Sequence, residues 1–245
     1  MRPTGAAVVI MARSPHGARP PKTRLAGVLP DEQDRRRLYA AFLADSVSGC
    51  RAIEGVTVRV AYTEDGGSGG FDEAGVAPDQ LIRQRGGDLG DRERGVFEDL
   101  FRDGFFSVVM IGSDLPTLPS ARIVEALDRL VGQGPERAVL GPATDGGYYL
   151  IGLGAPTGNA SVPDLFSGIR WGTPSACTDT VAAAGRCGLA VDLLGAWYDV
   201  DDEAGFARLR QELATEEGRR RAPATARALK ELVGELSGDR LTSDF

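Results

Sequence analysis

Histidine is nearly missing from this sequence: His16 is the only one in 245 residues. That scarcity excludes histidine-rich metal sites. A Ser–His–Asp triad would have to be built on one loop residue, and no Gly-x-Ser-x-Gly elbow is present. Cysteine is scarce too. Cys50, Cys177 and Cys187 are odd in number and far apart, so they form neither a disulfide framework nor a metal-ligand spacing. A reducing, cytoplasmic location is the expectation. No apolar run is long enough to span a membrane. The apolar stretch 6–11 is too short for the core of a signal peptide and lacks a small-residue cleavage site. The P-loop spacing and the Gly-x-Gly-x-x-Gly fingerprint are both absent. Positive charge is in deficit: the net charge is -7, which argues against nucleic acid as a partner. An anionic substrate would need a local group of Lys and Arg, or a metal. There are no internal repeats.

What is present is an ordinary globular composition, 42% hydrophobic and 26% charged, enough for one large core. The chain is organised around Val108-Val109-Met110-Ile111-Gly112-Ser113-Asp114-Leu115-Pro116. Four apolar residues read as a buried strand, and an acid stands at its exit. Pro116 keeps the chain from running straight into a helix. In open α/β sheets ligands sit beyond the carboxyl ends of the strands, where a carboxylate is well placed to hold Mg or Mn beside substrate phosphates. Asp114 could equally cap the following turn.

The first strand, 6–11, leads into a long loop carrying Arg13, Arg19, Lys22 and Arg24 among Gly and Pro. Such a loop in an acidic protein reads as an anion site, or as a solvated basic surface. A helix is expected over 31–50, with Asp31 near its start. Strands follow at Val56–Tyr62 and 81–82. A glycine-rich turn spans 63–70, and a second one precedes a helix over 91–101 capped by Asp91. Arg92 in the first turn of that helix is disfavoured by the dipole unless an anion lies nearby. The central strand, 107–111, is followed by a helix over Ser120–Val131 and a strand over 138–142. Asp145-Gly146-Gly147 then joins to a strand over 148–153 that breaks the parallel order. It reads as a plain hairpin tip, or as a place where a flat base or sugar lies against backbone. After an aromatic loop come a helix at 174–187 and a strand at 189–194. Asp199 and Asp201 stand at alternate positions and face one side if extended. One acid of this group is expected to cap the helix over 203–216. Residues 218–221 read as a basic linker, 225–236 as a last amphipathic helix with Leu229, Leu232, Val233 and Leu236 on one face, and 237–245 as a frayed tail.

Strand and helix alternate throughout, which indicates a single-domain, three-layer α/β fold with a mostly parallel mixed sheet. The transferase domain is expected over 1–217, with 218–245 packed on it or extending from it.

Several of these motifs carry a resemblance. Ala12-Arg13-Ser14-Pro15, Lys22-Thr23-Arg24-Leu25, Gly112-Ser113-Asp114-Leu115-Pro116, Gly141-Pro142 and Asp145-Gly146-Gly147-Tyr148 occur in the order seen in a bacterial family, domain of unknown function 2064. Gly86 with Asp88, Leu89, Gly90 and Arg92, then Phe166, Trp171-Gly172-Thr173 and Asp199-Val200-Asp201, continue the match over roughly 6–210. That family is grouped with nucleotide-diphospho-sugar transferases of the GT-A type, so the resemblance implies a GT-A-like, Rossmann-related fold. More distantly, the chain is similar to phospholactate guanylyltransferases. That likeness implies Mg on Asp114 and Asp201 and triphosphate on Lys22 and Arg24; the alternate spacing by itself lets Asp199 and Asp201 complete a metal site with Asp114. The late motif departs from the usual Asp-Thr-Pro, reading Asp201-Asp202-Glu203, and Pro20-Pro21 precedes Lys22.

The resulting expectation is a metal-dependent transferase moving a nucleotidyl group from a nucleoside triphosphate to an anionic small-molecule acceptor. The alternative is a glycosyltransferase using a nucleotide-diphospho-sugar donor. Lys22, Asp114 and Asp145 are the candidate catalytic residues. Ala12, Arg13, Lys22, Arg24, Gly90, Arg92 and Ser113 are the candidates for the nucleotide, and Gly146, Gly147, Tyr148 and Trp171 for the acceptor. The cofactor expected is Mg or Mn. Partners are the nucleotide and the acceptor, without nucleic acid or membrane, and a homodimer stays open.

Overall fold

The computed structural model describes residues 5–63, 67–131, 136–158 and 160–238, with side chains of the last helix described through 232. In chain order the elements are β1 (Ala6–Ala12), α1 (Glu32–Arg51), β2 (Val56–Tyr62), β3 (Leu81–Arg83), α2 (Leu89–Arg102), β4 (Ser107–Gly112) and α3 (Ser120–Val131). They continue with β5 (Arg137–Pro142), β6 (Tyr148–Gly154), α4 (Ala176–Arg186), β7 (Ala190–Leu193), α5 (Glu203–Leu213), α6 (Glu216–Arg221) and α7 (Pro223–Gly238).

Seven strands form one sheet in the order β3-β2-β1-β4-β6-β5-β7. All pairings are parallel except those of β6, which runs antiparallel to both β4 and β5. The apolar run of β1 pairs on both sides, with β2 and β4, and is buried from Ala6 to Ile10. A strand covered on both faces has no solvent side to alternate with, which is why it reads as a continuous apolar run. The chain winds outward from β1 to β3 and then returns to place β4 on the other side of β1. That reversal is the switch point where open α/β sheets leave a crevice at the strands' carboxyl ends. Helices cover both faces. Leu43, Val47 and Cys50 of α1 pack with Ile123, Ala126 and Leu130 of α3 on one side. Val96, Phe97 and Leu100 of α2 pack with Ala184 of α4 on the other.

The sequence expectations for the strands hold to within a residue or so at each end, and several helix boundaries move. Asp88, not Asp91, caps α2: its side chain accepts from Asp91 N at 2.8 Å, while Asp91 Oδ2 accepts from Gly87 N at 3.2 Å. The helix therefore starts at Leu89, and Gly86, at φ 120, provides the sharp entry. Residues 218–221, expected as a linker, are helical in α6, because Thr215 caps it by accepting from Gly218 N at 3.0 Å. Asp45 of α1 accepts from Ala224 N and Thr225 N at 2.9 and 2.8 Å, anchoring the start of α7. Leu229 and Leu232 then join Leu38 and Phe42 of α1 and Leu209 of α5 in a third apolar cluster. Val233 and Leu236 lie outside the described side chains. Ser237 and Gly238 complete α7, while 239–245 and the 64–66 part of the expected glycine-rich turn lie outside the described residues. Among the described residues no helix is long and apolar enough to cross a membrane.

Candidate active site

Asp114 leaves β4 directly at the switch point. Pro116 and Pro119 hold the following residues in turns until α3 begins at Ser120. The segment from Trp197 crosses this edge of the sheet. Trp197 N donates to Pro142 O at 3.1 Å, Thr144 N to Trp197 O at 3.0 Å, and Val200 N to Asp114 O at 3.0 Å. That last bond brings Asp201 beside Asp114 across the fold. Asp202 takes the capping role, accepting from Gly205 N at 2.9 Å, so Asp201 is left for other partners.

The partner is Lys22, one of only two lysines in the chain. Its Nζ lies 2.6 Å from Asp114 Oδ1 and 2.9 Å from Asp201 Oδ1, and its side chain is 3% exposed. The ammonium also lies 5.6 Å from the centre of the Phe42 ring and 5.9 Å from that of Tyr39, both on α1. Lys22 is the only non-glycine residue at positive φ among the described residues, with φ 57 and ψ 35. Strained backbone of this kind concentrates where surrounding contacts over-determine it, often at functional sites. Those contacts are visible. Arg36 of α1 donates to Pro15 O and Gly17 O at 2.7 and 3.0 Å, and Ser14 Oγ donates to Gly69 O at 2.7 Å. Leu25, in the short turn Thr23–Leu25, is fully buried. The loop is thus fixed, and its lysine points inward rather than to solvent.

Burial alone would depress the Lys22 pKa, but the Asp114 and Asp201 carboxylates outweigh it and hold the ammonium above its usual value. Burial pushes Asp114 up, with Lys22 opposing and the neighbouring Asp201 adding to the rise. Burial would raise Asp201 as well, but Lys22 and Arg24 bring it below its usual value. Asp199 rises to about 6 through burial and the charges of Asp201 and Asp145. Three carboxylates crowd one edge, with a buried cation between two of them.

Three hollows meet at this cluster. The first, about 280 Å³, opens between the ends of β1 and β4 and is lined by Ala12, Arg13, Gln84, Arg92, Glu93, Ser113, Asp114 and Tyr148, among others. The second, about 270 Å³, runs along the loop and is lined by Arg13, Lys22, Arg24, Tyr39, Asp114 and Asp201. The third, about 380 Å³, contains Arg24, Asp145, Tyr198, Asp199, Asp201 and Arg208. Arg13 and Asp114 are common to the first two, and Arg24 and Asp201 to the last two. The hollows therefore form one continuous line.

The candidate residues divide on this geometry. Ala12, Arg13, Arg92, Ser113 and Tyr148 share the first hollow with Asp114, and Lys22 and Arg24 flank the second. Gly90, Gly146, Gly147 and Trp171 line none of the three. A Cβ on Gly90 would lie 2.8 Å from Phe166 O and 3.0 Å from the Trp171 ring, so this glycine lets α2 approach the aromatic loop. Gly146, at φ 93, abuts Pro174, whose backbone oxygen would lie 2.3 Å from an added Cβ. Gly146 is thus closed to a side chain by Pro174, while at Gly147 a Cβ would meet only the Asp145 carboxyl, and both glycines are half-buried. Trp171 meets Tyr148 edge-on, with ring centres 6.1 Å apart. Asp145 is exposed, and its Oδ1 accepts from Gly147 N at 2.9 Å.

Among the described residues no group of three or more His, Cys, Asp or Glu side chains is arranged to hold a metal. Asp114 and Asp201 converge on Lys22, and Asp199, which feels the charges of Asp201, Asp145 and Asp114, lines the third hollow with Asp145 and Asp201. The donor chemistry still fits Mg or Mn in one respect: two hard carboxylates on adjoining elements, with phosphates supplying the rest, is a common Mg arrangement. Asp114 and Asp201 are the residues that would hold such an ion.

Three residues of the site were not anticipated. Tyr39 Oη accepts from Arg13 N at 2.9 Å and lies 3.1 Å from Ser113 Oγ, tying α1 to both strand ends. Burial raises its pKa well above the usual phenol value. Gln84, after β3, is buried in the first hollow. So is Glu93, a carboxyl that falls on the apolar stripe of α2 with Val96, Phe97 and Leu100. An acid at a core position of a helix was the sequence signal for Glu93. Gln84 carried none.

The sequence model of the family described as "Uncharacterized protein conserved in bacteria (DUF2064)" matches residues 46–173. Among solved structures, the chain is similar to a candidate nucleotide-diphospho-sugar transferase from Desulfovibrio desulfuricans G20. The two are 30% identical over 94% of this chain and 95% of that one, with a TM-score of 0.80. A CMP:2-keto-3-deoxy-manno-octonic acid synthetase solved with CTP shares the fold at 13% identity, covering 86% of this chain and 98% of that one, with a TM-score of 0.55. So does a 4-diphosphocytidyl-2C-methyl-D-erythritol synthase from Anaerococcus prevotii DSM 20548, at 8% identity, 84% and 96% coverage and a TM-score of 0.53. No curated protein matches the chain. With its GT-A/Rossmann-like sheet and the loop, strand-exit and late-acid motifs meeting at one edge, the chain belongs to the bacterial DUF2064 family.

Proposed function

We propose that the chain is a transferase that moves a nucleotidyl group from a nucleoside triphosphate to an anionic small molecule. The observation that carries this reading is the meeting of Lys22, Asp114 and Asp201 where the three hollows join. The first hollow suits a base. The cation-lined cleft of Arg13, Lys22 and Arg24 suits a polyphosphate, and the third, with Arg24 and Arg208, suits an acceptor bearing negative charge. An acceptor oxygen approaching from the third hollow attacks the α-phosphorus. The bond from that phosphorus to the bridging oxygen breaks, and pyrophosphate leaves along the basic cleft.

An already anionic oxygen needs no general base, which agrees with a site without histidine. The chain's contribution is positioning and charge neutralisation. Lys22 and Arg24 hold phosphate oxygens, Asp114 and Asp201 would seat a divalent ion, and the fixed loop keeps them in register. Mg or Mn, when bound there, draws electron density from the phosphate oxygens.

A glycosyl-transfer reading is favoured by a separate observation. Asp145 and Asp199 line the third hollow, where a base beside an acceptor hydroxyl would stand. The Desulfovibrio relative is also described as a nucleotide-diphospho-sugar transferase. A thermal-shift screen of nucleoside triphosphates and nucleotide sugars, with and without Mg, separates the two. A ligand of the native state raises its melting temperature. Stabilisation by triphosphates, with pyrophosphate released on addition of acceptor, supports nucleotidyl transfer. A response confined to sugar nucleotides overturns it.

A further inference from the structure

We infer that Glu93 and Gln84 select the base in the first hollow, taking only nucleotides whose base carries an exocyclic amine. This deepens the nucleotidyl-transfer reading and rests on it. Glu93 is 5% exposed and lines the hollow. Among the described residues its hydrogen-bond partner is Tyr148, whose hydroxyl donates to Oε2 at 2.5 Å. One phenolic donor leaves most of a carboxylate's accepting capacity open to the hollow it lines, and a ligand that covers it without offering a donor leaves it unpaired at a cost.

Gln84, 8% exposed, lines the same hollow. Its Nε2 faces two backbone carbonyls, Ala61 O at 2.7 Å and Ala12 O at 3.4 Å, so the amide nitrogen is held by the end of β1 and by β2. With both N–H groups engaged, the amide has only its carbonyl oxygen left for a ligand. The interior of the hollow thus presents two acceptors, an amide oxygen and a carboxylate. Arg92, whose Nη2 donates to Gly87 O at 3.1 Å, adds a guanidinium to the lining.

Two acceptors select for donors. A ring amine satisfies them, whereas a ring carbonyl in the same place sets oxygen against oxygen. Cytosine and uracil differ in this way, an amine against a carbonyl at one ring position, whereas guanine carries an amine where hypoxanthine has only hydrogen and so leaves the acceptors unpaired. Rejection of a ligand that lacks the expected group is large when it leaves buried polar groups unpaired. Burial pushes the Glu93 acid to about 7, with Tyr148 opposing the rise, so its ionised form is read above that value.

The test is calorimetric titration of the full-length protein with CTP, UTP, GTP and inosine triphosphate, with Mg, at about pH 8. The expected result is that CTP binds tenfold or more tighter than UTP, or GTP than inosine triphosphate, on the order of one charge-assisted hydrogen bond. In Glu93→Gln that preference falls below about threefold, since an amide can also offer a donor to a carbonyl. The wild-type comparison stands by itself if this variant does not fold. Triphosphates binding without preference between members of either pair overturn the inference and leave nucleotidyl transfer standing. No binding of any of the four, nor of ATP titrated beside them, overturns both.

Discussion

Lys22 Nζ lies 2.6 Å from Asp114 Oδ1, placing the one lysine of the basic loop against the acid at the exit of the central strand. Asp201 Oδ1, 2.9 Å away, completes the group. The ammonium separates two carboxylates that would otherwise repel. Lys22→Met is therefore expected to cost about 2 kcal/mol, below the range for a fully buried pair because both acids are partly open to water. Urea unfolding measures it. The double variant Lys22→Met, Asp114→Asn should lose less than the sum of its parts, since removing one acid relieves the repulsion. Strict additivity would show that the pair is not coupled.

The same ammonium competes with a divalent ion for Asp114 and Asp201. Mn titration followed by electron paramagnetic resonance should show weak binding to the free protein and tighter binding once a nucleoside triphosphate is present, because phosphate oxygens complete the coordination. In Lys22→Met, Mn should bind the free protein about tenfold tighter, a difference of about 1.4 kcal/mol. Tight Mn binding by the unliganded wild type would contradict this account.

Asp145 tells the two transfer reactions apart. It accepts from Gly147 N and is exposed at the rim of the third hollow. Nucleotidyl transfer to an anionic oxygen does not need it, so Asp145→Asn should change kcat by less than about tenfold. A loss on the order of a thousandfold is the size expected of a removed general base, and would point to glycosyl transfer.

Gly146 is held at φ 93 with the Pro174 backbone where a Cβ would stand. Gly146→Ala is expected to destabilise by about 2 kcal/mol or more, combining left-handed strain with a clash that no side-chain rotation relieves. The lowered melting temperature should appear with and without nucleotide. Loss of nucleotide affinity at unchanged stability would restore this glycine to the binding surface.

Glu93 gives stability a definite dependence on pH. Burial raises its acid from the usual 4.5 to about 7. Between those values the folded chain keeps a proton that the unfolded chain has lost, so the unfolded state binds fewer protons and stability falls as pH rises. The contribution is full below about 4.5 and is lost as pH passes about 7, amounting to about 3 kcal/mol. Chemical denaturation of the wild type and of Glu93→Gln across this range should show the two curves diverging by that amount. Parallel curves would mean that water reaches the carboxyl.

Much of this protein could be read along the chain, because its strands and helices declare themselves through local periodicity. The apolar runs of β1 and β4 are continuous because both faces are covered. The antiparallel turn of β6 follows from Asp145-Gly146-Gly147 joining it to β5. The start of α2 is ambiguous along the chain because Asp88 and Asp91 are both good capping residues, and the backbone geometry at Gly86 decides between them. Residues 218–221 looked like a linker because their charge conceals a helix capped by Thr215. The α/β class, the acid at the strand exit and the cationic loop are legible along the chain, since each depends on neighbours in the chain. It takes the folded chain to turn Lys22 inward to Asp114 and Asp201, to set Pro174 against Gly146, and to bring Glu93 and Gln84 to the first hollow. Those outcomes depend on which segments the sheet order brings together, and no local pattern encodes a distance between residues so far apart in the chain.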